Sequence, residues 1–233
     1  MLNIDLKLFK KNHKKSKNQV LYHSIKSSGL KEIENLINNF LNVRNSFVFE
    51  SVEKGFIKGR YTIFGKNPDK IWEFNNNNCV LKYENKRKKL RGTPKDNIEK
   101  IIENFNFKIP SELPPISSII SGYFSYDTIR YIEKIPNSTK NDLKIPDARI
   151  LRPKNLVVFD NVKKKLFFIV NCFFDEKIKN YQAKYDQIQK EIEEMIFLAN
   201  YNYKINQSEA KISKIKIKSN ISKKKFLSNV SKA

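Results

Sequence analysis

The chain has 233 residues, 39% of them hydrophobic, so it can bury a substantial core; its formal net charge is +22, carried by 39 Lys and 7 Arg. Arg reads bases and clamps phosphates, whereas Lys accumulates with Asn and Ile in A- and T-rich coding DNA, so the charge is interpreted as codon bias and no nucleic-acid partner is expected. No run of eighteen apolar residues exists and the two cysteines lack paired spacing, which argues against a membrane span, a disulfide framework and a zinc site and indicates a cytoplasmic protein.

The first elements in chain order are a basic N-terminus and an amphipathic helix. Residues 1–18 are polar and Lys-rich and are expected to be loosely ordered, and residues 19–199 are expected to form the main domain. Within residues 29–41 the apolar side chains recur at helical spacing. We therefore expect a helix directly before the first strand, with one apolar face formed by Leu30, Ile33, Leu36, Ile37, Phe40 and Leu41.

A hairpin is predicted next. Residues 46–52 and 60–64 are rich in aromatic and β-branched side chains, and Gly55 and Gly59 lie between them. Alternation along the first strand places Phe47, Phe49 and Ser51 on one face.

The hairpin brings Arg60 and Tyr61 back towards Glu50 and Ser51. Such a group could hold a small zwitterion, because an ammonium needs an acceptor, a carboxylate needs a donor and a side chain needs an apolar wall. The alternative is an ordinary cross-strand ion pair between Glu50 and Arg60 with Ser51 as a strand-end hydroxyl, and spacing alone favours this alternative.

The rest of the chain reads as further hairpins and helices. Residues 70–74 and 79–83 flank four Asn and predict a second hairpin with a long polar tip. Thr93 and Pro94 predict the start of a helix, and residues 156–160 and 165–171 predict a third hairpin. The remaining predictions are a short helix begun by Asp127, a long helix over residues 175–199, a Lys-rich linker over residues 200–219 and a further helix within residues 220–233.

Three blocks of this sequence resemble one enzyme family. FVFESVEKG and GRYTIFGKNPDKIW (residues 47–55 and 59–72) closely resemble the N-terminal region of anthranilate synthase component I. Residues 113–136, with their Gly-Tyr-x-x-Tyr-Asp-x-x-Arg pattern, and residues 145–166, with Pro-Asp-Ala and Val-Phe-Asp runs, are similar to later parts of the same region. Order and spacing agree over residues 18–175.

The resemblance implies a role for the hairpin in feedback inhibition by L-tryptophan. Ser51 matches the serine that contacts the inhibitor in the family, and Glu50 matches its neighbour. Lys58, Gly59, Arg60 and Tyr61 match the segment across the loop that also approaches tryptophan. The remaining contacts come, in the family, from a Pro-Tyr-Met-type segment absent from this sequence, so half of the tryptophan site is expected here.

The resemblance also implies that the catalytic residues are elsewhere. In the family the chorismate-binding domain opens with a helix resembling residues 220–233, and every catalytic group follows it. The histidines of this chain are His13 and His23, and no Glu cluster has metal-ligand spacing. No catalytic residue, metal site or cofactor is therefore assigned, although Mg²⁺ is expected for the complete enzyme.

The resulting hypothesis is the N-terminal, regulatory portion of anthranilate synthase component I, a lyase, as a truncated or split chain. Its implied partners are L-tryptophan, the glutamine amidotransferase component II and the chorismate-binding half. Two alternatives are the corresponding part of aminodeoxychorismate synthase component I and a stand-alone tryptophan-binding or interaction module. The expected fold is α+β, with mostly antiparallel sheets packed face to face and helices outside.

Overall fold

The computed structural model describes residues 2–27, 29–50, 59–136, 143–202 and 219–232. It divides into two units, Met1–Tyr203 and Lys204–Ala233. In the first unit the described helices are α1 (Leu6–Lys14), α2 (Leu30–Asn39), α3 (Pro94–Glu103) and α4 (Tyr181–Asn200), with a 3₁₀ helix at Tyr126–Tyr131. None of the helices described has the length and apolar content that crossing a bilayer requires.

Eight strands are described, and they form one curled antiparallel sheet. They are β1 (Gln19–Lys26), β2 (Phe47–Glu50), β3 (Tyr61–Asn75), β4 (Asn78–Tyr83), β5 (Lys86–Leu90), β6 (Ser121–Phe124), β7 (Ala148–Asp160) and β8 (Lys165–Cys172). The order is β1-β8-β7-β3-β4-β5, with β2 on β3 and β6 on β7. The α+β class and the antiparallel pairing expected from the sequence are confirmed.

The two longest strands, β3 and β7, pair from Tyr61 opposite Asp160 to Phe74 opposite Ala148. Their register shifts between Pro68 and Lys70, where Pro68 faces Pro153. Proline has no N–H to donate, so two facing prolines interrupt the ladder and permit a bulge. On its other edge, the first half of β3 pairs with β2 and the second half pairs with β4.

One face of the sheet is covered by α1, α2 and α4. Alternate residues of β7 and β8, including Val157 and Phe168, are buried against side chains of the helices. Part of this layer comes from residues 1–18. They contain helix α1, in contrast to the loose order expected, because Asp5 caps its first turn and Phe9 is fully buried beside Tyr181 and Tyr185.

The side chains of β7 and β8 that point to the other face of the sheet form a second apolar cluster, which includes Leu156, Val158 and Ile169. Residues 105–119 contribute to it through Phe107, Ile109, Leu113, Ile116 and Ile119. A third cluster joins α3 to the second half of β3 and the first half of β7 through Trp72, Phe74, Ile101 and Ile150. The second cluster lies beside the hairpin of β2 and β3, and the third lies beside α3 and the second half of β3.

The predicted helices and hairpins are present with shifted boundaries. The four Asn do not form a long tip, since Asn75 pairs with Asn78 across a two-residue turn in which Asn76 has φ +49°. The long helix α4 begins at Tyr181, where Asn180 caps it. Most of the predicted linker, residues 203–218, lies outside the described residues.

The second unit contains α5 (Lys223–Lys232), as predicted. Ser222 accepts a hydrogen bond from the Lys225 N–H at 3.3 Å at the start of this helix. The apolar side chains Phe226, Leu227 and Val230 are more than half exposed.

Candidate functional site

The predicted hairpin is formed by β2 and the first half of β3. Phe47 pairs with Gly65 and Glu50 pairs with Thr62. The rings of Phe47 and Phe49 are 4.9 Å apart, so the two side chains share a face as expected. A Cβ at Gly65 would lie 2.2 Å from the Phe47 ring, which explains why a glycine stands at this position.

Arg60 is bound to a buried carboxylate on the neighbouring strand. Its Nε and Nη2 donate to the two oxygens of Asp160 at 3.1 and 2.8 Å. The Asp160 side chain is 1% exposed and also accepts from the backbone N–H groups of Val162 and Lys163, each at 3.0 Å. Asp160 thereby connects the start of β3 to the turn between β7 and β8.

The charges at this position stabilise each other. Burial acts to raise the pKa of Asp160, but the hydrogen bond from Arg60, the backbone donors and the Arg60 charge together hold that pKa below its ordinary value. The guanidinium carbon of Arg60 also lies 4.9 Å from the centre of the Tyr61 ring. Burial raises the pKa of Tyr61, so its phenol is neutral at physiological pH.

The structure brings only some of the predicted site residues together. Glu50 is exposed at the end of β2, and it forms no ion pair with Arg60 in the part of the chain that is described, because Arg60 is bound to Asp160. Gly59 adopts φ +80°, a conformation that favours glycine. Tyr61 packs on the second apolar cluster. Ser51 and Lys58 lie outside the described residues.

Sequence reasoning missed Asp160 as the partner of Arg60. A usable signal was present, since an Asp that ends an apolar strand and precedes a turn often accepts hydrogen bonds from the turn. What the sequence does not show is the register that places Asp160 opposite Tyr61. The alternative interpretation, a cross-strand ion pair of Glu50 with Arg60, is not observed, because Arg60 pairs with Asp160.

Asn171 is a second residue of interest that the sequence did not single out. It lies on β8 two residues beyond Ile169 and is fully buried, yet neither side-chain amide atom has a hydrogen-bond partner among the described residues. Alternation puts it on the face of the second apolar cluster. Buried amides are normally paired, so Asn171 is an unusual polar position in an apolar layer.

No group of three or more His, Cys, Asp or Glu in the described ranges is arranged to hold a metal ion. The described residues therefore do not fit a Mg²⁺ site. Cys79 and Cys172 are buried free thiols, and burial raises the pKa of Cys79 to about 11. Both thiols remain protonated near neutral pH and are poor metal ligands or nucleophiles.

Comparison with known proteins adds a consistent family assignment. The model of the family described as chorismate binding enzyme matches residues 45–233. The match begins well before residue 220, where the sequence predicts the chorismate-binding domain to open.

Two curated relatives are both described as anthranilate synthase component 1. The chain is 31% identical to the protein of Acetivibrio thermocellus over 198 residues, covering 80% of this chain and 39% of the relative. It is 31% identical to the protein of Cereibacter sphaeroides over 161 residues, covering 66% of this chain and 32% of the relative. The chain thus spans well under half the length of either relative.

A solved structure shares the fold. The crystal structure of anthranilate synthase component I from Streptococcus pneumoniae superposes with a TM-score of 0.51 at 20% identity, covering 77% of this chain and 37% of that one.

Proposed function

The chain belongs to the anthranilate synthase component I family of chorismate-binding enzymes, and from this premise we propose that it supplies the regulatory part of an enzyme that forms anthranilate from chorismate. In this proposal the β2–β3 hairpin contributes half of a feedback site for L-tryptophan. The proposed reaction is supported by the relatives, which are described as anthranilate synthase component 1. The proposed tryptophan site is supported by the residues of the hairpin.

The observation that carries the proposal is the contrast between Glu50 and Arg60 at the ends of the hairpin strands. Arg60 is held by two hydrogen bonds from its guanidinium to Asp160, whereas the Glu50 carboxylate is exposed and forms no hydrogen bond or ion pair with another described residue. Glu50 is therefore the group that can accept an ammonium, and Tyr61 adds part of an apolar wall. Arg60 acts as a positioning residue that fixes the start of β3.

Calorimetric titration with L-tryptophan tests the site. The chain alone should bind weakly or not at all, and binding should appear when the unmatched part of the Acetivibrio thermocellus relative is added as a separate polypeptide. In that mixture Glu50→Gln should weaken binding by about tenfold, because the ammonium loses its charged acceptor. Glu103→Gln, at an exposed position on α3, should leave the affinity unchanged.

Tight binding by the chain alone would contradict a divided site and would favour a stand-alone tryptophan-binding module. Equal effects of the two Gln variants would remove Glu50 from the site while leaving the family assignment intact.

The proposed reaction is tested separately from inhibition. The described residues do not fit a Mg²⁺ site, so the metal and the catalytic groups are proposed to come from the added polypeptide, with ammonia delivered by a glutamine amidotransferase component II. The mixture should convert chorismate and ammonia to anthranilate, which is followed by its fluorescence. Accumulation of aminodeoxychorismate in its place would assign the chain to that related branch.

A further inference from the structure

A cavity of about 340 Å³ lies between α3, the second half of β3, the β4–β5 hairpin and the segment after β8. Its volume is within the range of small-molecule sites. Its apolar wall consists of Trp72, Leu81, Leu90, Ile101, Phe105 and Phe174. Three of these six side chains are aromatic, so a flat ring can stack or pack edge-on against the wall.

Two of the polar groups in the cavity are already paired. Arg152 donates to Asp69 at 2.5 and 2.8 Å and to Asp175 at 2.9 Å, and its guanidinium lies 3.8 Å from the centre of the Phe173 ring. Lys70 also forms an ion pair with Asp175. These cations are fixed by their carboxylates and form a rigid, charged floor that a ligand does not need to reorganise.

Lys100 is different from the other two cations. It lies on the last turn of α3, is exposed and lines the cavity, and it forms no ion pair among the residues that the structure describes. Its charge acts on Asp96, one turn earlier, but that carboxylate accepts a hydrogen bond from the backbone N–H of Thr93 at 3.0 Å, and the Asp96 N–H donates to the Thr93 hydroxyl at 3.2 Å. Lys100 is therefore available to an anion.

The two amides of the cavity donate to backbone carbonyls, and Asn104 keeps one N–H that has no partner among the described residues. Asn97 donates from Nδ2 to the carbonyls of Thr93 and Arg91 at 2.9 and 3.2 Å, and Asn104 donates to the carbonyl of Lys100 at 2.7 Å. Neither side-chain oxygen accepts a hydrogen bond within the described part of the chain. The cavity as a whole combines an aromatic wall, an excess of cations and neutral acceptors.

We propose that this cavity binds a small carboxylate that carries a flat apolar ring, with the ring against Trp72 and the carboxylate at Lys100. Asp69 and Asp175 offset the charges of Lys70 and Arg152, so the attraction for the anion comes from Lys100. The site lies beyond the β3 bulge, away from Arg60, so it does not depend on the proposed tryptophan site.

The chain offers a direct probe, because Trp72 is its single tryptophan and it lines the cavity. The fluorescence of the full chain is followed during titration with phenylacetate, 2-phenylethanol and 2-phenylethylamine, which share a ring and differ in charge. We expect a saturable change with phenylacetate in the millimolar range. The alcohol and the amine should bind at least about tenfold more weakly, because neither supplies an anion to Lys100.

A matched pair of variants tests the role of Lys100. Lys100→Glu should weaken phenylacetate binding by at least about tenfold, whereas Lys95→Glu, the same charge change on an exposed position of α3, should change it by less than about twofold. Thermal unfolding of both variants confirms that they remain folded.

Three outcomes would overturn the proposal. They are the absence of a saturable change with phenylacetate, equal binding of the amine, and equal losses in the Lys100 and Lys95 variants.

Discussion

Asp160 shows how one buried carboxylate can connect several segments. It accepts hydrogen bonds from Arg60 on one side and from two backbone N–H groups of the β7–β8 turn on the other. Hydrogen bonds to a charged partner are stronger than neutral ones, and the loss of a buried partner leaves donors unsatisfied. The position of Arg60 beside Tyr61 therefore depends on a residue one hundred positions later in the chain.

Asp160→Asn should lower the free energy of unfolding by about 2 kcal/mol, because the amide removes the negative charge and presents an NH₂ group to a donor. Urea unfolding followed by circular dichroism measures the change. Asp127→Asn is the control, since Asp127 is half exposed and pairs with Arg130 on the same short helix; it should cost less than about 0.5 kcal/mol. Equal losses in the two variants would show that Asp160 has no special structural role.

Only part of the candidate site could be predicted from the sequence. The sequence brought Glu50, Arg60 and Tyr61 to one hairpin, which the pairing of β2 with β3 confirms. The partner of Arg60 depended on the register between β3 and β7, and no local pattern encodes a pairing between strands so distant in sequence.

Strand β6 packs against β7 with a close contact between the two backbones at Gly122. A Cβ at Gly122 would lie 2.0 Å from the Arg149 carbonyl oxygen and 3.0 Å from the Ile150 Cα. Because those atoms belong to the backbone, they cannot move aside as the end of a flexible side chain can. A glycine is the residue that permits this contact.

Gly122→Ala should therefore displace β6 and weaken its pairing with β7. We expect faster amide hydrogen exchange at residues 121–124 and 148–151 and a stability loss of about 2 kcal/mol. Ser121→Ala, in the same strand, should leave exchange unchanged, since the Ser121 hydroxyl forms no hydrogen bond with another residue that the structure describes. Unchanged exchange in the Gly122 variant would mean that β6 accommodates the added methyl group and keeps its pairing with β7.

The elements themselves were predictable where local chemistry decides them. Thr93 and Asp96 form a reciprocal capping box with Pro94 at the first turn, and α3 begins where these residues predict. Residues 60–64 and 70–74 were predicted as strands of two separate hairpins, yet in the structure both belong to β3, which continues through Pro68 with a bulge. Helix α1 was not predicted because the segment is rich in lysine, which suggested a loosely ordered terminus, although its Phe9 is buried.

For the whole molecule, buried and half-buried carboxylates predict how stability depends on pH. Burial acts to raise the pKa values of Glu73, Asp160, Asp175 and Glu176, but neighbouring cations outweigh it and hold all four below their ordinary values of 4.5 for Glu and 3.8 for Asp. Their folded-state pKa values lie below the unfolded ones. Each carboxylate thus stabilises the fold above its unfolded pKa and stops doing so as the pH falls through its folded pKa.

The midpoint of thermal unfolding should accordingly stay nearly constant from neutral pH down to about pH 5 and fall steeply below about pH 4. Calorimetric scans across this range measure it. The loss should persist in moderate salt, because buried pairs are screened much less than exposed ones. A midpoint that rises on acidification would show that relief of other interactions outweighs these carboxylates.

Strand β5 occupies the end of the sheet order, and its first four residues, Lys86, Arg87, Lys88 and Lys89, are all exposed. The open side of an end strand presents unpaired backbone groups on which the same strand of another molecule can add. Four consecutive cations oppose that addition, since each copy repels an identical row, and the repulsion extends furthest at low ionic strength. The lysines of β5 thereby limit self-association through this edge of the sheet.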